Sequence, residues 1–388
     1  MTEFVDKYRN ELLLNVMPFW EKNSVDHQFG GFFSCLDRDG TVFDTDKFMW
    51  LQGRQIWTLS TLYNQVEENP VWRDMAEQGA KFILKNGRDA EGDWYFSLDR
   101  AGNPLVQPYN IFSDCFASMG LAALYKATGK EEYGKVAEDT FNRILERQHN
   151  PKGKYSKAYP GTRNLKGFAL PMILSNLSLE LEHIVGSATV ETLIDEVIHE
   201  VMEVFYQPET GLIMESVNLD GSFSDTFDGR LVNPGHTIEA MWFMMDLAER
   251  RSDKALMTKC VDIALRALEY GWDEQYGGIF YFKDILNKPL LQLEWDQKLW
   301  WVHLEALVCM AKGWAYTGDP RCKEWFEKLD SYSFQHFADP EFGEWYGYLN
   351  RQGEPLLTLK GGKWKGCFHV PRALLKVYKT METIPVYK

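Results

Sequence analysis

The sequence predicts an all-α chain folded as an (α/α)6 barrel, and three observations carry that prediction. A glycine-centred motif recurs six times, two helical patterns lie between successive copies, and those patterns alternate between one-sided and all-round apolar character. The motif is glycine with an aromatic or apolar pair beside it: GGFFS at Gly31, GDWYF at Gly92, GKYSK at Gly153, GLIME at Gly211, GGIFY at Gly278 and GEWYG at Gly343. The spacings are 61, 61, 58, 67 and 65 residues, so six units account for the full 388.

Each unit reads in the same order. The first helix of a pair is charged on one face: TEFVDKYRNELLLNVMPFWEK, VWRDMAEQGAKFILK, EEYGKVAEDTFNRILERQ, VETLIDEVIHEVMEVFY, DKALMTKCVDIALRALEYGW and PRCKEWFEKLDSYSFQHF. A one-sided apolar stripe belongs to a surface helix. The motif glycine follows, and four units carry a second turn signal, in LDRDG (Gly40), LDRAG (Gly102), VNLDG (Gly221) and LNRQG (Gly353), with LNKP near Asn287 in a fifth. Two extended stretches joined by such a turn make a β-hairpin. The second helix is apolar nearly all round and therefore buried: MWLQGRQIWTLSTLY, NIFSDCFASMGLAALYKATG, GFALPMILSNLSLELEHI, GHTIEAMWFMMDLAER, QKLWWVHLEALVCMAKGWAYTG and GCFHVPRALLKVYKTME. Parallel inner helices gather their N-terminal ends at one mouth, where a pocket is expected. Nothing in the composition breaks the pattern, so residues 1–388 read as a single catalytic domain, although length alone suggests two or three.

Composition narrows the function. A hydrophobic content of 45% supports a large core, and a net charge of −14 repels phosphate backbones and anionic lipid. Nucleic acid and membrane are excluded as main partners in favour of a small neutral ligand. The N-terminus lacks the pattern of a signal peptide and no run of 18 apolar residues occurs, so the cytoplasm is the expected compartment. The six cysteines form no C-x-x-C pair and read as reduced, mostly buried thiols.

Polar residues early in the inner helices are the functional candidates, because an apolar segment has no packing reason to hold them. They are Arg54, Asp114, His236 with Glu239, Lys298 with Glu305, and His369 with Arg372. Counted from the motif glycine, Arg54 is at +23, Asp114 at +22, His236 at +25, Glu305 at +27 and His369 at +26, which implies a common depth in the barrel. His236/Glu239 and His369/Arg372 are each three apart and share a helix face, as do Lys298, Trp301 and Glu305. Two imidazoles approaching one ligand suit proton transfer on opposite faces of a carbon, since imidazole titrates near neutrality. Arg54 suits an oxyanion, and the glutamates suit orienting the rings. A lone buried histidine is more often a satisfied core residue, which is how His303 reads. Asp114, Glu239, Asp296 and Glu305 would also furnish the carboxylate pair of a glycoside hydrolase. Asp114, Lys298, Trp301 and Arg372 are the candidates for holding substrate. Against the acidic background, Lys152, Lys154, Lys157, Arg163 and Lys166 form one basic stretch, either a solvated loop or a phosphate site, without P-loop order.

The segments KGCFHVPRALL, NPGHTIEAMWF, WDQKLWWVHLEAL, YSKAYPGTRNLKGFALPMI and KFMWLQGRQIWTLS together resemble the N-acylglucosamine 2-epimerase family over essentially the whole chain. The family also contains cellobiose 2-epimerases and aldose–ketose isomerases such as mannose isomerase. The resemblance implies an (α/α)6 barrel, usually a homodimer, that interconverts N-acetylglucosamine and N-acetylmannosamine. It implies His236 and His369 as the acid/base pair, supported by Arg54, Glu239 and Glu305, with no metal and no consumed cofactor. It also implies ATP as an activator, which makes the basic stretch a nucleotide candidate. Mammalian relatives are also known as renin-binding proteins, a partner role that nothing in this sequence requires.

Overall fold

A computed structural model describes residues 2–157, 159, 161, 162 and 164–384. Twelve helices among them alternate around a ring. The outer ones are α1 (2–23), α3 (Pro70–Asn86), α5 (Glu131–Arg147), α7 (187–205), α9 (Lys254–Gly271) and α11 (Pro320–His336). The inner ones are α2 (Met49–Gln65), α4 (Phe112–Thr128), α6 (Ala169–Val185), α8 (Pro234–Arg251), α10 (Trp300–Thr317) and α12 (His369–Thr383). α1 and α7 each pass through one π-helical stretch, at Glu11–Val16 and Glu200–Phe205.

The burial pattern follows the sequence pattern. α5 buries Tyr133, Ala137, Phe141 and Ile144, one stripe at helical spacing, and leaves its glutamates outside. α10 is buried continuously from Trp300 to Gly313, with outer helices behind it and ring neighbours on both sides. All six cysteines are buried free thiols. No helix among the described residues is long and apolar enough to cross a membrane.

Neighbouring inner helices meet closely where glycine permits. A Cβ on Gly53 would lie 2.3 Å from the Phe116 carbonyl oxygen, and one on Gly120 would lie 2.3 Å from that of Gly53. α2 and α4 therefore cross backbone to backbone, which seats Arg54 against the Phe116 ring. The ring closes where Thr58 Oγ1 donates to the Cys367 carbonyl at 2.8 Å, tying α2 to the entry of α12.

The short strands depart from the expected hairpins. Units two and six form them, pairing Ser97–Leu98 with Pro104–Val106 and Tyr348–Leu349 with Pro355–Leu357. Unit one closes the same turn with a single antiparallel bridge, Leu36 to Val42, whereas in units four and five the extended stretch pairs with the preceding unit: Ser216–Asn218 with Leu165–Gly167, and Lys283–Asp284 with Leu231–Val232. The same cross-unit pairing joins Lys47–Phe48 to Ser97–Leu98 and Lys298–Leu299 to Tyr348–Leu349. The six motif glycines all have positive φ, between 49° and 88°, which accounts for glycine at the repeat position.

Buried ion pairs tie these turns together. Asp26 accepts from Lys47 Nζ at 2.9 Å and Arg100 Nε at 3.0 Å; Asp273 accepts from Lys298 Nζ at 3.1 Å and Arg351 Nε at 2.9 Å. Asp339 accepts from Lys360 Nζ and Arg38 Nε, both at 2.8 Å. In each cluster the arginine comes from the second turn of the next unit, so Arg38 joins unit six to unit one. Burial would raise the Asp26 and Asp273 carboxyls, but their cationic hydrogen bonds outweigh it and bring both down to about 2.

Candidate active site

The N-terminal turns of the inner helices surround a cavity of about 530 Å3. α2 contributes Trp50 and Arg54, α8 His236 and Glu239, α10 Trp300 and Trp301, and α12 His369. α4 and α6 line it with apolar side chains, while Tyr281, Glu294, Gln297, Tyr348 and Trp364 enter from loops at the mouth. Asn233 caps α8, its side chain accepting the His236 N–H at 3.2 Å, and Pro234 occupies the first helical turn. Helix N-termini carry partial positive charge, so their convergence favours negative charge developing in this space.

His369 backs onto a charged cluster. Its Nδ1 meets Glu305 Oε1 at 2.7 Å, and a carboxylate only accepts, so Nδ1 carries the hydrogen and Nε2 keeps a free lone pair. Glu305 is held on its other oxygen by the Trp242 indole N–H at 2.8 Å, and Arg372 Nη2 lies 2.7 Å from Oε1. Arg372 also donates to Glu239. Burial, reinforced by the Arg54 and Arg372 charges and opposed by Glu239, holds the His369 imidazole well below its ordinary value. That displacement favours the neutral imidazole, whose Nε2 lone pair is able to accept a proton. The ligating atoms of Glu239, Glu305 and His369 lie within 4.8 Å of one another, a spacing that suits a metal ion, but the Arg372 guanidinium supplies the cation there.

His236 sits in the opposite electrostatic setting. Its Nδ1 faces both Glu215 oxygens at 3.0 Å. Burial pushes the imidazole down, but the charge and hydrogen bond of Glu215, with Glu239 behind, outweigh it and leave His236 above its ordinary value. It favours the protonated form. Trp301 packs near both rings, its centroid 5.1 Å from that of His236 and 5.9 Å from that of His369. Two titratable groups driven apart in this way are able to serve as acid and base in a proton transfer. Replacing Glu215 with Gln should lower the His236 titration midpoint, because it removes the adjacent negative charge that opposes burial. NMR titration of the histidine resonances measures this directly, and an unmoved midpoint would contradict the assignment.

Arg54 is held by π faces rather than by a carboxylate. Its guanidinium carbon lies 3.9 Å from the Phe116 ring centre, 4.5 Å from Trp50 and 4.6 Å from Phe368, and its Nε has no hydrogen-bond partner among the described residues. Burial and the nearby Arg372 charge, only partly offset by Glu239 and Glu305, lower it to about 9. An uncompensated buried cation beside a cavity is placed to meet an oxyanion.

The substrate-holding candidates separate. Trp301 lines the cavity. Arg372 lies behind it, committed to the two glutamates. Lys298 does not reach it: fully buried, it pairs with Asp273, and burial lowers its ammonium to about 8 despite that partner. Asp114 points outward to Arg147 at 2.9 Å and is raised to about 7, chiefly by burial. His303 accepts from the Ile279 N–H through Nε2 and donates through Nδ1 to the Leu299 carbonyl, which makes it structural. Of the basic stretch, Lys152, Lys154 and Lys157 are exposed, Lys166 pairs with Glu200 at 3.0 Å, and Arg163 lies outside the described residues.

Sequence reasoning gave Glu239 to His236 and missed Glu215. A signal existed: four residues after the motif glycine, Glu215 stands where units one, two, five and six have Cys35, Phe96, Phe282 and Gly347. Trp242 carried no signal, because its indole N–H is one polar atom in an apolar run.

Several known proteins are similar to this chain. N-acylglucosamine 2-epimerase of Rattus norvegicus is 38% identical over 93% of this chain and 88% of its own. A cellobiose 2-epimerase of Bacteroides fragilis is 25% identical over 95% of this chain and 97% of its own. The solved cellobiose 2-epimerase of Bacillus thermoamylovorans B4167 superposes with a TM-score of 0.84 at 21% identity, covering 98% of this chain and 100% of that one, and shares the α/α toroid. Residues 31–373 match the family model for N-acylglucosamine 2-epimerase (GlcNAc 2-epimerase), and the chain belongs to that family.

Proposed function

We propose that the protein is an N-acylglucosamine 2-epimerase, which interconverts N-acetyl-D-glucosamine and N-acetyl-D-mannosamine through the open-chain sugar. One observation supports this reading above others: two imidazoles lining one cavity, each packed against Trp301, with opposite displacements of their titration. The C2 proton is acidic only beside a free carbonyl. Ring opening therefore comes first, O1 losing its proton while the C1–O5 bond breaks and O5 gains one. A neutral imidazole then takes the C2 proton through Nε2, and the C2–H electron pair moves into an enolate whose negative charge gathers on O1. Arg54 and the helix N-termini stabilise that oxygen. The protonated second imidazole delivers its proton to the opposite face of C2, and the carbonyl re-forms. The pair holds one proton before and after the reaction and two while the enolate exists, so the return reaction uses the same groups with their roles exchanged.

ATP activation and a homodimer belong to this proposal, as the family resemblance implies. In its support, Lys152, Lys154 and Lys157 are exposed and form no ion pair with a described residue. The test is incubation with N-acetylmannosamine in D2O, with and without ATP, followed by NMR. N-acetylglucosamine carrying deuterium at C2 is the expected product, formed faster with ATP. Product retaining protium at C2, a ketose, or no product would defeat the scheme.

A further inference from the structure

The cavity wall is divided by polarity, and the division has a geometric consequence. Around the ring, α8, α10, α12 and α2 bring His236, Trp301, His369 and Arg54, whereas α4 and α6 bring only Phe112, Phe116, Ala169, Met172 and Ile173. The α6 residues are a single face at i, i+3 and i+4 without a polar atom, apart from the Met172 thioether.

Transfer to opposite faces of C2 places the imidazoles along the normal to the planar intermediate. C1, C3 and the nitrogen substituent must then spread in the plane between the rings. Trp301 closes the side toward α10, and the C1 oxygen turns to Arg54. Two directions remain, the mouth with Glu294 and Gln297 and the apolar wall of α4 and α6. The C3–C6 segment carries a hydroxyl on every carbon and would leave them unpaired against that wall, so it takes the mouth.

Given the epimerase reading above, we propose that the α4–α6 wall is the acyl subsite: Ala169, Met172 and Ile173 receive the acyl chain of the substrate and set its permitted length. An unsubstituted hexose has nothing to fill this space, and a longer acyl chain meets Met172 and Ile173.

The test compares kcat/KM for N-acetylmannosamine and N-butanoylmannosamine in the unaltered protein and in Met172→Ala, Ile173→Ala and Ala169→Leu. The first two should raise the butanoyl-to-acetyl ratio by about 10-fold or more, the usual discrimination per methylene in an apolar pocket. Ala169→Leu, at a half-buried position where folding is least at risk, should lower it. An unchanged ratio in variants that still epimerise N-acetylmannosamine overturns the acyl subsite and leaves the epimerase reading intact. Failure of the unaltered protein to exchange C2 hydrogen on either sugar overturns both.

Discussion

His369→Asn and His236→Asn should each lose interconversion by at least about 100- to 10,000-fold, the contribution of a positioned acid or base. Each variant should nevertheless keep one half of the reaction. With one imidazole left, the epimer whose C2 hydrogen faces it can still be deprotonated and reprotonated on that same face. Deuterium from D2O should therefore enter one recovered substrate only, and a different one in each variant. NMR of the recovered sugars reads this and assigns each histidine to its epimer. Exchange into the same epimer by both variants would mean that both imidazoles reach the same face of C2, which would defeat the two-base scheme. Asparagine keeps the size and hydrogen-bonding capacity of the ring edge, so Glu305 and Glu215 retain a donor.

Arg54→Met should reduce kcat by about 100- to 1,000-fold with little change in KM, the signature of an interaction made mainly in the transition state. The enolate oxygen is fully charged only after the C2 proton has left, so a cation aimed at it contributes little to ground-state binding. Folding should survive, because three aromatic rings surround Arg54 and no carboxylate among the described residues pairs with it and would be stranded by its loss. Arg54→Lys should not restore activity: an ammonium is a compact, strongly hydrated charge that does not lie flat against Phe116 and Trp50. A raised KM at unchanged kcat would assign Arg54 to substrate binding instead.

The fold was legible because each unit repeats its signals locally. Apolar spacing separates α5, with Tyr133, Ala137, Phe141 and Ile144 inward, from α10, buried on every side. Strand partners were less legible: Ser216–Asn218 looks like half of a local hairpin, yet it pairs with Leu165–Gly167 of the preceding unit. Turn residues mark where the chain reverses and leave its partner open.

The site divides in the same way. A common offset from the motif glycine brought out His236, His369 and Arg54, which line one cavity. The same offset brought out Asp114, which turns outward to Arg147, and the same reasoning brought out Lys298, which neutralises Asp273. A polar residue in an apolar segment announces that it has a partner, and depth along a helix does not say whether that partner is a ligand or a buried countercharge.

From sequence alone come the six-unit barrel, the alternation of outer and inner helices and the presence of two histidines at one level. Each depends on periodicity within a few dozen residues. Tertiary structure alone decides that Glu215 rather than Glu239 faces His236, that Glu239 and Glu305 share Arg372, and that the two imidazoles are driven in opposite directions. Those outcomes depend on burial and on distances between charges as far as 133 positions apart in the chain, which only packing brings within reach.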